Sequence, residues 1–175
     1  MNAPGNYPNH VSHLREVGRF LRRFRNAVLS FELRPGARWH HEPIANPNSH
    51  ICHNDIAPKV TVFRDGEPVA FLDWDFAHLG QAMWVVAHAA WQFGGLTGDG
   101  SCPRHGWRSL PDRFRRLRTL CDSYGAKVED RLGFAQVAVQ RMEATATGIE
   151  ALAAAGKPEY ARLSVAGIPA MIQPS

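Results

Sequence analysis

Two short apolar runs, Thr61-Val62-Phe63 and Val69-Ala70-Phe71-Leu72, stand on either side of Asp65-Gly66. An Asp-Gly pair between β-forming residues supplies the positive φ angles of a tight turn, so this stretch predicts a β-hairpin. Pro68 opens the second strand, where a missing N–H is tolerated. A further short strand is expected near His50 to Cys52. The hairpin therefore fixes a small antiparallel β element inside a chain that otherwise reads as helix and loop.

The helical reading comes from apolar spacing. Leu14, Val17, Leu21, Phe24, Val28 and Phe31 recur at intervals of three and four, with Arg15, Arg19, Arg22 and Arg23 largely on the other side. Ser12 or Asn9 suits the start of this helix. Before it, residues 1–10 are rich in Pro, Gly and Asn and read as a hinge or linker. Residues 34–48 read as loop. Gln81 to Gln92 has little polar face and reads as a buried helix. Gly94 to Gly106 reads as a loop. Pro111 suits the first turn of a helix that stops at Gly125. One long Ala-rich helix is expected from Glu129 to Ala155, ending at Gly156. A short helix follows, and residues 168–175 read as a loose tail. The order predicts a mainly helical α+β unit over residues 11–167.

Length and composition narrow the function classes. The 175 residues suit one compact unit, and 45% hydrophobic residues allow a real core. A net charge of +4 favours an anionic ligand such as a nucleotide and is too small to imply nucleic acid. The basic stretches Arg19 to Arg25 and Arg113 to Arg118 lie on amphipathic helices and read as solvated faces. Cys52, Cys102 and Cys121 are widely spaced and odd in number, which predicts reduced thiols and a cytoplasmic setting. No leader segment or membrane span is expected. His50, Cys52 and His53 are close together, but their spacing does not match the paired Cys/His pattern of zinc sites. Trp84, Trp91 and Trp107 read as core, and His40-His41 as an exposed loop pair.

Two acidic motifs stand out. His53-Asn54-Asp55 follows the first strand, and Asp73-Trp74-Asp75 ends the hairpin. A hairpin can bring such strand ends together. Phosphoryl transfer uses one carboxylate at the acceptor hydroxyl and another on magnesium.

The segments Ile51-Cys52-His53-Asn54-Asp55-Ile56-Ala57-Pro58 and Phe71-Leu72-Asp73-Trp74-Asp75-Phe76-Ala77 resemble the catalytic and metal loops of the aminoglycoside phosphotransferase family. The likeness extends through Trp84, His88-Ala89-Ala90-Trp91 and Leu120-Cys121-Asp122-Ser123-Tyr124-Gly125. It implies the C-terminal lobe of a protein-kinase-like fold, with the hairpin carrying both loops. It also implies ATP-dependent transfer of a phosphoryl group to a hydroxyl of a small, cationic molecule. By this resemblance Asp55 is the catalytic carboxylate, His53 braces its loop, Lys59 contacts phosphate, and Asp73 holds Mg2+. Asp75 is a second metal contact or a turn cap. Asp99, Asp112 and Asp122 are candidates to receive the substrate.

The departures imply an impaired member. The family's metal-ligating Asn falls at position 60, where this chain has Val60, and Val85 stands where an Asp commonly follows the Trp. The phosphate-covering loop and strand Lys of an N-terminal lobe have no counterpart upstream of the first helix. The expectation is a truncated phosphotransferase or, alternatively, a non-catalytic small-molecule-binding or regulatory lobe. A companion chain or self-association would then cover the open face.

Overall fold

The computed structural model describes residues 11–39, 49–96, 98–99, 102 and 107–172. The expected hinge at residues 1–10 and the pair His40-His41 lie outside them. Helix α1 (Val11–Leu29) is followed by β1 (His50–Cys52), a 3-10 turn (Pro58–Val60), β2 (Thr61–Arg64), β3 (Glu67–Phe71) and β4 (His78–Gly80). Helices α2 (Ala82–Gly94), α3 (Arg113–Tyr124), α4 (Val128–Leu132), α5 (Phe134–Ala154), α6 (Pro158–Val165) and α7 (Ile168–Ile172) complete the chain. The fold is α+β and mainly helical, as the sequence predicts.

The hairpin forms where the turn residues place it. Asp65 and Gly66 both take left-handed angles, φ 53° and 83°, which match the right-handed twist of the paired strands. β2 and β3 run antiparallel, with an irregularity between Val62 and Phe63. The Leu72 amide donates to the Val60 carbonyl at 2.8 Å and extends the ladder by one step. A second two-stranded sheet pairs β1 with β4, Cys52 opposite His78. Position 78–80 carries no β-branched residue and no alternation, so this strand has no sequence signal. It exists because β1 needs a partner for its backbone groups.

α1 packs on α3 and on the hairpin. Leu14, Val17 and Leu21 are buried, while Phe20 meets Phe71 at a tilt and Phe24 meets it edge-on, with ring centroids 4.8 and 6.1 Å apart. The α1–α3 crossing is tight at Gly18: a Cβ there would lie 2.0 Å from Ser123 Oγ and 3.0 Å from the Leu120 carbonyl oxygen. α3 starts at Asp112, whose carboxylate accepts from the Arg115 amide at 3.0 Å. It ends at Gly125 with φ 75°, beside the Arg22 guanidinium.

Two expectations are corrected. The single helix from Glu129 to Ala155 is two, broken at Gly133, because glycine weakens a helix interior and Asp130 folds back to the Lys127 amide at 3.0 Å to start the short one. Residues 168–172 of the expected loose tail form α7 against α5, with Ile172 buried.

Candidate functional site

The two acidic motifs meet at the ends of the small sheets. Asn54 takes φ 64° and Asp73 φ 63°, a left-handed geometry that Asn and Asp adopt more readily than most side chains. Each bend is tied to the other. The Asn54 side-chain amide donates to the Cys52 and Phe76 carbonyls, both at 3.2 Å. The His53 ring lies 2.9 Å from the Leu72 carbonyl through Nε2, and its Nδ1 accepts from the Asp55 amide at 3.3 Å. These contacts assign the tautomer: Nε2 carries the proton and donates to Leu72, because Nδ1 is the acceptor. Burial holds this imidazole below its ordinary pKa, so it is neutral at pH 7. The ring also packs against Trp74 at a tilt, with centroids 4.6 Å apart.

Asp55 faces two basic groups. Lys59 Nζ is 3.7 Å from Oδ2, and His88 Nε2 is 3.6 Å from Oδ1. Burial alone would raise this carboxyl, but His88, Lys59 and His53 outweigh it and hold the group below its ordinary value. Asp55 is therefore ionised at neutral pH. His88 sits on the buried face of α2. Burial first, then the charge of Arg141, pushes its pKa down to about 4. Among the described residues neither ring nitrogen makes a hydrogen bond; the 3.6 Å approach to Asp55 is an electrostatic contact, slightly too long to count as one.

Arg141, from α5, closes the loop from behind. Its Nη2 donates to the Asn54 carbonyl at 2.6 Å, Nη1 donates to Thr145, and the guanidinium lies over the Trp84 ring at 5.5 Å. Burial lowers it to about 10, which leaves it cationic. His88 and Arg141 were not among the expected site residues. A histidine flanked by Ala87 and Ala89 in an apolar helix, and an arginine in an Ala-rich one, are the only traces they leave in sequence.

Other expected residues are engaged elsewhere. Asp99 pairs with Arg113 and Asp122 with Arg131, each at 2.6 Å, and Asp112 caps α3. Asp73 and Asp75 are exposed on the 72–77 turn. Val60 is buried in the 3-10 turn, and its side chain carries no oxygen. Cys52 is fully buried and its thiol is pushed up to about 12 by burial, so it behaves as a small apolar side chain. Among the described residues no three His, Cys, Asp or Glu converge as a metal site, and no helix is long and apolar enough to cross a membrane.

Comparison with known proteins gives a different relationship from the one the motifs imply. The chain is similar to a trifolitoxin immunity protein of Rhizobium leguminosarum bv. trifolii, 31% identical over 122 residues. The match takes in 68% of this chain and 47% of the relative, so the chain spans about half the length of the curated relative it matches. No family model matches the chain, and no solved structure does so significantly.

This similarity overturns the aminoglycoside phosphotransferase resemblance. With it go the phosphoryl-transfer function, its non-catalytic kinase-lobe alternative, and the ATP and magnesium chemistry attached to them. The physical reason for the misreading is local. In His53-Asn54-Asp55 and Asp73-Trp74-Asp75, Asn54 and Asp73 take left-handed backbone, and His53 and Asn54 make hydrogen bonds that join the two turns. Short polar motifs at such bends carry fold information without specifying a reaction.

Proposed function

We propose that this chain is an immunity-type protein that protects the cell carrying it against a toxin. The observation that carries this reading is the 31% identity over 122 residues to a trifolitoxin immunity protein. The Asp55 loop is the part through which we place the protection. It joins an ionised carboxylate, two bends locked to each other, and a buried arginine reaching 87 residues back along the chain. Pre-set loops of this kind suit recognition, because little ordering cost remains to be met on binding. Three buried, widely spaced cysteines fit a reducing compartment, and we place the chain in the cytoplasm.

The test is protection itself. A trifolitoxin-sensitive strain expressing the chain is expected to survive toxin concentrations that kill the same strain with empty vector. Equal killing of both, with the chain shown to be folded and expressed, would overturn the reading.

A further inference from the structure

The turn between Leu72 and Ala77 leaves Asp73 and Asp75 exposed, and among the described residues neither has an ion-pair partner. The hydrogen bonds from His53 to Leu72 and from Asn54 to Phe76 hold this turn beside Asp55. Tyr160 of α6 reaches the same turn, its ring 6.4 Å from that of Phe76 and edge-on to it. Burial and Glu159 raise the Tyr160 phenol, and the charges of Asp55, Asp73 and Asp75 raise it further. A net charge of +4 over the chain thus coexists with a local concentration of negative charge.

Two independent features indicate what this surface takes. The His88 imidazole is fully buried against Asp55 with both nitrogens unbonded among the described residues, an unusual state for buried polar atoms. Lys59 already sets an ammonium 3.7 Å from Asp55, and that side chain is 66% exposed and free to swing away.

We propose that Asp55, Asp73 and Asp75, with the Phe76–Tyr160 ring pair, bind an organic cation: an ammonium or guanidinium group carried by the toxin. This names the partner's chemistry for the immunity reading and rests on it. Carboxylates accept charge-assisted hydrogen bonds from such groups, and aromatic faces attract them. A groove of about 330 Å³ lined by Arg15, Arg19, Thr119, Asp122 and Ser123 is a weaker candidate, because Arg19, Asp122 and both hydroxyls are already engaged.

The experiment titrates the isotopically labelled chain with Nα-acetyl-lysine methylamide and Nα-acetyl-arginine methylamide, with the norleucine analogue as neutral control, and follows the signals of Tyr160, Phe76, Asp73 and Asp75 by NMR. The cationic amides are expected to give saturable shifts that the neutral one does not. Asp73→Asn with Asp75→Asn should weaken binding about tenfold, the sum of two exposed ion pairs. Asn tolerates the left-handed angle at position 73, so the turn is retained. Lys59→Met should strengthen binding, and Asp99→Asn should leave it unchanged. Equal shifts from the norleucine amide, or full affinity in the double variant, would overturn the proposal. Loss of protection with cation binding intact would instead count against the immunity reading alone. Protection without cation binding would remove this site and leave that reading standing.

Discussion

At the scale of single residues, Arg141 and His88 do more for the candidate site than the acidic motifs reveal. Arg141 satisfies the Asn54 carbonyl from a helix 87 positions away. Removing it leaves a buried acceptor unpaired, which costs about 1–3 kcal/mol, together with lost packing on Trp84. Arg141→Met should therefore lower stability in urea unfolding by about 2 kcal/mol or more. Unchanged stability would mean that the Asn54 bend holds without it. His88 has a stability signature of its own. Its pKa is about 4 in the folded chain against an ordinary 6.5, so between these values the unfolded chain binds more protons. The stability contributed by the neutral ring is complete above pH 6.5 and is lost as pH falls toward 4. At about 1.4 kcal/mol per unit the loss is a few kcal/mol. Asp55 adds to it at lower pH, since its depressed carboxyl must also be protonated. His88→Gln should flatten the stability curve between pH 6.5 and 4, as measured by thermal melts. A variant with the same slope as the parent would show that His88 titrates normally.

At the scale of elements, the α1–α3 crossing depends on one missing side chain. Gly18→Ala drives a Cβ against Ser123 and the Leu120 backbone, whereas Gly148→Ala on α5 meets nothing within 4 Å. Both replace a helical glycine, a change worth about 0.5–1 kcal/mol in favour of alanine by propensity. Gly148→Ala should thus stabilise the chain and Gly18→Ala destabilise it, a difference in sign that denaturant midpoints read directly. Stabilisation by both would show that α1 and α3 can part at no cost. The same elements mark what was legible in the sequence. α1 and α3 announced themselves through apolar spacing and through Gly125, and the hairpin through Asp65-Gly66. β4 was silent because three residues without alternation carry no period. The break at Gly133 was hidden because helix-forming residues flank it, Glu129 to Leu132 before and the Ala-rich run after Phe134, and α7 was hidden by Gly167 and Pro169, which read as loop.

At the scale of the whole molecule, the site joins parts that are distant in sequence. His53, Asp55, Asp73 and Asp75 were legible because they lie in two short motifs joined by one hairpin. His88, Arg141 and Tyr160 come from α2, α5 and α6, where helical periodicity marks a face as core or surface but does not show which loop it will meet. The motif resemblance misled for the same reason: it weighed local residue types, and the similarity over 122 residues weighs most of the chain. What the assembled parts present is an ionised carboxylate in a rigid loop, with two further acids beside an aromatic pair. The measurement closest to the central claim is survival of a trifolitoxin-sensitive strain across a toxin dilution series. It compares empty vector, the chain, and Asp55→Asn at matched expression. Protection by the chain, and its loss in Asp55→Asn with the fold retained, are the expected results. Killing at the same dilution with the chain as with empty vector would contradict the claim.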